Sequence, residues 1–218
     1  ELMLCLQAAK RAKATGRDEI PVEVFLECAE ARSDLFTMLR LCWRREVIPE
    51  SITEGIFVTI WKQKGSKNDF TKYRCICLLN SCYKLLSAYL LLQLVKQTQA
   101  YLSESQAGFR KRRGCRDNIY ILSQLIKLSL SEDSPLVITF IDYVAAFDTV
   151  SHKFLESALD AAGTSSKVKS IFRAIYRTAS ARVRVRLPDG QLKYSGSFPV
   201  NRGVVQGDIF SPFCFILA

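Results

Sequence analysis

Residues 137–152 read VITFIDYVAAFDTVSH. Val137, Ile138, Thr139 and Phe140 lead through Ile141 into a carboxylate, Asp142, and a second carboxylate, Asp148, follows six residues later. An unbroken apolar or β-branched run of this kind predicts a strand buried on both faces. An ionised carboxylate at the end of such a strand costs desolvation energy unless a cation offsets it. Two readings of Asp142 therefore stand. It is a metal ligand held over a cleft, or it caps the turn that follows the strand. Asp148 falls near the start of the next helix, where a carboxylate simply favours the helix dipole.

Beyond this stretch the pattern predicts a helix over 151–162, stopped by Gly163, and another over 166–178. Residues 182–187 alternate strictly, with Arg182, Arg184 and Arg186 on one face and Val183, Val185 and Leu187 on the other. Pro188-Asp189-Gly190 is a turn signal, 191–200 the partner strand, and Ser211-Pro212 an N-cap and first-turn pair. Before the central stretch, helices are predicted over 1–12, 22–31 and 33–45, the last capped by Ser33 or Asp34. Strands follow at 54–62 and 74–79, separated by a polar loop with Gly65. A helix capped by Asn80 or Ser81 then runs to about 99. A basic glycine-bearing loop (106–116) leads to a helix capped by Asp117 and ending near 130.

The chain of 218 residues can bury a substantial core, and its 31 Lys+Arg against 21 Asp+Glu give a net charge of +10. That balance suits a polyanionic partner as readily as it suits a basic solvated surface. No secretion signal and no run long enough to span a membrane is present. The eight cysteines, most among apolar neighbours, are expected to be buried free thiols. Cys75, Cys77 and Cys82 lack zinc-site spacing, and the sole histidine, His152, has no triad partners. The chain does not open on Met and stops inside an apolar run, so a segment of a longer protein is expected.

Several polar sites carry two readings each. Lys62 and Arg74 flank the glycine loop, where Arg could grip a triphosphate in bidentate fashion and Lys as a point charge, or both could decorate a hairpin tip. Arg110, Lys111, Arg112, Arg113 and Arg116 fit phosphate-backbone contact or a solvated face, and the 182/184/186 stripe is equally ambiguous. In GVVQGD (203–208) two glycines flank Gln206, a donor and acceptor for a sugar or base, or a solvent-facing turn residue. Phe147 is core, or a wall against a sugar ring.

The order of these elements is more specific than any one of them. KYRCICLLN (72–80), QAGFRKRRGCRDN (106–118), FIDYVAAFDTVSH (140–152) and RGVVQGDIFSP (202–212) together resemble the reverse transcriptases of non-LTR, LINE-type retrotransposons. The likeness begins at KATGRDEIP (13–21) and covers nearly the whole chain. It implies an α/β (α+β) fold of the right-hand polymerase kind: a helical extension over 1–50, fingers over 51–130, and an incomplete palm over 131–218 whose antiparallel sheet is flanked by helices. It implies an RNA-directed DNA polymerase acting on an RNA template, a DNA primer and a dNTP by two-metal phosphoryl transfer with two Mg²⁺ ions. Asp142 would be the first metal-binding carboxylate, with the main-chain carbonyl of Tyr143 completing its ligand set. Phe147 would crowd the sugar 2′ position, Gln206 and Gly207 would border the sugar and template base, and Lys62 and Arg74 would hold the triphosphate. Arg110, Lys111, Arg112 and Arg113 would meet template or primer backbone.

Cys75 and Cys77 stand where many relatives show Pro and Ser. The paired-aspartate Tyr-x-Asp-Asp block of the family would fall beyond Ala218, so the 218 residues alone are expected to show little or no polymerase activity. The alternatives are a group II intron maturase-like reverse transcriptase, and a nucleic-acid-binding remnant without catalysis. An intracellular protein, with the nucleus as one compartment and without secretion or a membrane, is expected; oligomeric state is left open.

Overall fold

A computed structural model describes residues 1–187 and 189–218, so Pro188 of the expected turn lies outside the described residues. The first quarter is helical: α1 (Leu2–Gln7), α2 (Val22–Glu27), α3 (Ala29–Arg45) and α4 (Glu50–Thr53). The expected 1–12 helix ends at Gln7. The break between the next two falls at Cys28, whose extended backbone separates them, so Ser33 and Asp34 lie inside α3 and cap nothing. Strands β1 (Gly55–Trp61) and β2 (Tyr73–Leu78) follow, joined through a single 3₁₀ turn (Phe70–Lys72) that Asp69 caps by accepting from Thr71 N–H. Helix α5 (Ser81–Thr98) starts after Asn80. The side chain of Asn80 does not cap it; its amide instead donates to Ser51 O and accepts from Asp18 N–H.

Helix α6 (Cys115–Ser131) begins at Gly114, three residues before the expected cap. Asp117 acts from inside the first turn, accepting the Gly114 N–H at 2.7 Å. Then come α7 (Ala146–Thr149), α8 (His152–Ala161), α9 (Ser166–Thr178), β3 (Ser180–Arg186), β4 (Leu192–Tyr194), β5 (Phe198–Pro199) and α10 (Ser211–Leu217). The expected partner strand over 191–200 is thus two short pieces. Ser211 opens α10 rather than capping it.

The sheet runs β2-β1-β3-β4, with β5 also on β3. Hairpin β1–β2, in the segment expected to be fingers, and the β3–β4 and β3–β5 pairs are antiparallel, but β1 and β3 are parallel, with Ile56 opposite Arg182 and Val58 opposite Arg184. One mixed sheet therefore joins strands from both sides of residue 130. The strand expected at 137–142 is not formed: 134–143 are irregular, and 134–145 are exposed throughout, Val137 at 88% and Val144 at 93%.

The core lies where α5 meets α1, α3, α4 and α9, and it continues through α8 into α10. Leu90, Leu94, Leu155, Leu159, Ile171 and Phe172 are its most enclosed side chains. Of the eight thiols, all free, Cys42, Cys77, Cys82 and Cys214 are buried as expected; Cys28, Cys75 and Cys115 are exposed. Among the described residues no helix is long and apolar enough to cross a membrane.

Candidate active site

Two stretches far apart in sequence meet at α7. Ala145, in left-handed backbone with φ of 50°, turns the chain into this short helix. The loop after β5 then docks on it: Val204 N–H donates to Phe147 O and Gly203 N–H to Val150 O, each at 2.8 Å. Gly203 has φ of 78°, and a Cβ there would lie 2.8 Å from the carbonyl oxygens of Phe147 and Asp148, so only glycine permits this approach. His152 holds the same loop, its Nε2 lying 2.9 Å from Gly203 O. A carbonyl only accepts, so Nε2 carries the proton. Burial holds the ring's pKa below its ordinary value, against the pull of that hydrogen bond.

The other end of the loop meets β2. Cys77 N–H donates to Gln206 O at 2.7 Å, and a Cβ on Gly207 (φ 123°) would lie 2.5 Å from Cys77 O. A cleft of about 220 Å³ opens beside this junction, its lining including Phe57, Phe198, Asp148 and Gln206. The two rings are stacked 6.2 Å apart. Phe147 does not line this cleft. Its half-buried ring stacks on Phe215, with centroids 4.6 Å apart, and meets the edge of Phe109 in the basic loop at 6.1 Å.

Beneath the loop lies a group that the sequence did not single out. Asp208 is 4% exposed. Ser211 Oγ donates to it at 2.9 Å, Tyr83 Oη at 3.5 Å, and Ser87 Oγ donates to its other oxygen while accepting from Phe210 N–H at 3.1 Å. Burial raises the Asp208 pKa, and these hydroxyl and backbone donors only partly oppose it. Its charge in turn adds to the burial that pushes the Cys77 thiol up to about 12. A second unanticipated carboxylate, Glu54, is buried between Arg182 and Arg17. Burial alone would raise its pKa, but the hydrogen bonds from Arg182 and Arg17 outweigh it and hold the carboxyl below its usual range. The available signal was a polar residue breaking an apolar pattern: Ser87 inside α5, and Asp208 directly after QG.

Among the described residues, the remaining expected side chains make no hydrogen bond or ion pair to this junction. Lys62 and Arg74 sit on the β1–β2 hairpin, Arg74 three residues and about 10 Å along the strand from Cys77. The Lys62 ammonium donates to Thr71 O at 3.0 Å. Arg110 is folded back onto Ser103 O and Gln106 O, and Glu104 pairs with both Arg110 and Arg113; Lys111 and Arg112 are exposed. Asp142 and Tyr143 lie on the exposed irregular stretch, and among the described residues the Asp142 carboxylate has no polar partner. Nor, among those residues, do three His, Cys, Asp or Glu side chains gather where they could hold a metal ion. Asp142 is a single carboxylate, and Asp208 is already filled by hydroxyl donors. The described residues thus show no ready-made two-ion site.

Similarity to known proteins bears on these features. A family model described as "Reverse transcriptase (RNA-dependent DNA polymerase)" matches residues 62–218. The chain is 22% identical, over its full length, to the Transposon TX1 uncharacterized 149 kDa protein of Xenopus laevis. Over 99% of its length it is 25% identical to a Retrovirus-related Pol polyprotein from type-1 retrotransposable element R2 of Popillia japonica. It spans 16% and 29% of the lengths of these two relatives.

Proposed function

The chain belongs to the reverse transcriptase (RNA-dependent DNA polymerase) family, and from that premise we propose that it supplies a helical extension over 1–50, the fingers over 51–130 and part of the palm over 131–218 of an enzyme that copies an RNA template into DNA. The relatives that span the chain are named for a transposon and a retrotransposable element, which favours the LINE-type reading over an intron maturase or an inert remnant.

The observation that carries the proposal is the three-way junction of α7, the 203–207 loop and β2, built from the hydrogen bonds at Phe147, Val150 and Cys77. It brings the two blocks most specific to the family into one rigid contact beside a cleft. In this reading Gln206 and Gly207 border the sugar and base of the incoming nucleotide, held there because Gly207, without a Cβ, lets the loop close onto Cys77 of β2. Phe147, fixed between Phe215 and Phe109, crowds the 2′ position. Arg74 and Lys62 hold the triphosphate from the hairpin, the guanidinium by paired donors and the ammonium as a point charge.

Reverse transcriptases work with divalent metal. In this reading Asp142 and the Tyr143 carbonyl are ligands that this chain would contribute to a magnesium site. Base selection falls to template pairing, so the protein needs to read only backbone and shape, which fits a net charge of +10.

Gly207→Ala tests the reading. The added methyl collides with Cys77 O and must lift the loop off β2, so dNTP affinity, measured by titration calorimetry on the folded chain, should fall at least tenfold. Unchanged affinity would remove Gln206 and Gly207 from the nucleotide pocket. In the polymerase that carries this chain, Phe147→Ala should admit ribonucleotides, and retained sugar discrimination would count against its assigned place.

A further inference from the structure

Gln206 and Gly207 are exposed residues of the loop between β5 and α10. A group placed on a loop is precise only when the structure beneath it fixes the backbone. One hold comes from β2, where Cys77 N–H donates to Gln206 O at 2.7 Å. The other comes from the next residue along. Asp208 turns inward, its own N–H donating to Val205 O at 3.1 Å, and its carboxylate is buried beneath the loop. Both oxygens are occupied. Ser87 Oγ donates to Oδ1, while Ser211 Oγ at 2.9 Å and Tyr83 Oη at 3.5 Å donate to Oδ2.

Burying a carboxylate costs free energy that a small apolar residue at this position would avoid. What the chain gains is an attachment to a fixed element. Tyr83 and Ser87 are four residues apart and so lie on one face of α5, the helix at the centre of the core. Ser87 is fully enclosed. A serine inside a helix ordinarily turns its hydroxyl back to a carbonyl of the preceding turn. Thr98, equally enclosed in α5, does this at Leu94 O. Ser87 instead donates to Asp208 and accepts from Phe210 N–H at 3.1 Å, so one hydroxyl holds both the carboxylate and the backbone that leads into α10. The loop is thereby referenced to the least exposed helix of the fold as well as to β2.

We propose that Asp208 is a positioning residue for the incoming nucleotide: pegged to Ser87 of α5, it fixes the backbone of Gln206 and Gly207 in the geometry that receives sugar and base. The proposal rests on the polymerase reading above, which places Gln206 and Gly207 at the nucleotide and assigns nothing to Asp208 or Ser87. The three side-chain donors are neutral hydroxyls, so the peg needs acceptor oxygens rather than a charge.

The test is the dNTP affinity of the whole chain, measured by titration calorimetry below the melting transition of every variant and set against thermal melts of the same proteins. Asp208→Ala should weaken affinity about tenfold and Ser87→Ala about fivefold, because nucleotide binds only the fraction of chains whose loop is in place. Asp208→Asn keeps an acceptor and should stay within about twofold of the unaltered chain. Leu94→Ala is the control for stability alone. It empties a fully enclosed site two turns, about 10 Å, further along α5, so it should lower the melting temperature more than Ser87→Ala and leave affinity unchanged. A loss of affinity in Leu94→Ala as large as in Ser87→Ala would make Asp208 an ordinary core residue and overturn the proposal. Unchanged affinity in both Ser87→Ala and Asp208→Ala, with Gly207→Ala still weakening binding, would overturn it too and leave the nucleotide pocket standing. A loss in Asp208→Asn equal to that in Asp208→Ala would overturn the acceptor role. If the unaltered chain binds no dNTP, or Gly207→Ala is without effect, the pocket fails and the peg with it. Should Asp208→Ala not fold, Ser87→Ala and Asp208→Asn decide the question between them, by loss in the first and retention in the second.

Discussion

Helices α5 and α6 are nearly equal in length, 18 and 17 residues, yet nine residues of α5 are buried and none of α6 is. Apolar content does not explain the difference, because α6 carries Ile119, Ile121, Leu125, Ile126, Leu128 and Leu130, all exposed. What differs is company. Helix α5 is apolar nearly all round and sits among α1, α3, α4 and α9, as a helix of that pattern must. Helix α6 is one-sided, and the stretch after it, 134–144, is equally apolar and equally exposed. The contrast teaches that a hydrophobic pattern states a demand for partners and does not supply them.

The sharpest way to break this comparison is a matched pair of truncations. Leu90→Ala in α5 removes a fully enclosed side chain (0% exposed) and should cost about 3 kcal/mol. At roughly 2–4 °C per kcal/mol for a chain of this size, the melting temperature should drop clearly. Leu125→Ala in α6 should change stability by less than about 0.5 kcal/mol, since it leaves no cavity and alanine favours helix. Equal destabilisation in calorimetric melts would mean that α6 is buried in solution.

A second pair of variants probes how α5 holds the candidate site. Asp208→Ala strands the hydroxyls of Ser87, Ser211 and Tyr83 in the interior and should cost about 2 kcal/mol. Asp208→Asn keeps an acceptor and removes a charge that burial disfavours. Because the folded-state pKa is raised, the native carboxyl loses stability as pH rises through that pKa, and the amide escapes this loss. At neutral pH Asp208→Asn should melt at or above the unaltered chain. A melt as low as that of Asp208→Ala would show that the negative charge itself is required.

Much of this architecture was legible in the sequence. Alternation placed β1 and β2 within a residue or so, and helical period placed α5, α8 and α9 closely, because each of these signals is local. The apolar run at 137–142 shows the limit of such reading. Period reports which face a strand would bury, whereas a strand exists only when a neighbour completes its hydrogen bonds. The sheet's β2 edge is met by Gln206 at Cys77, and the other side of β1 by β3. The junction of α7 with 203–207 was legible as two motifs but not as a contact, since nothing local encodes a hydrogen bond between Phe147 and Val204. Asp208 was overlooked because aspartate in a loop ordinarily signals a turn, and its burial depends on Ser87, 121 residues away.

A third perturbation addresses the exposed side of the comparison. Val137, Phe140 and Ile141 form part of an apolar, β-prone and unpaired stretch, the composition that promotes association. Replacing all three with lysine should abolish hydrophobic-dye binding and concentration-dependent association, with a stability change under about 0.5 kcal/mol. A cooperative loss of folding in the triple variant would show that 137–141 packs against the core after all.

The smallest effect concerns His152, which joins the packed side to the candidate site. Its ring rests on Tyr176, 4.1 Å between centroids, while Nε2–H reaches Gly203 O, and the charge of Glu156 favours protonation. Burial outweighs both and keeps its folded pKa below the ordinary value, so the folded state binds its proton less readily than the unfolded chain does. Stability from this group is therefore complete above about pH 6.5 and is lost as pH falls below it. The loss scales as about 1.4 kcal/mol for each unit by which the pKa is displaced. Melting curves of the unaltered chain should decline between pH 7 and pH 5 relative to His152→Gln, which donates a comparable hydrogen bond and does not titrate. The protonated ring keeps its Nε2–H donor to Gly203 O, so amide exchange at Gly203 and Val204 should not quicken with this step. Parallel declines in the two proteins would assign the acid sensitivity to other groups.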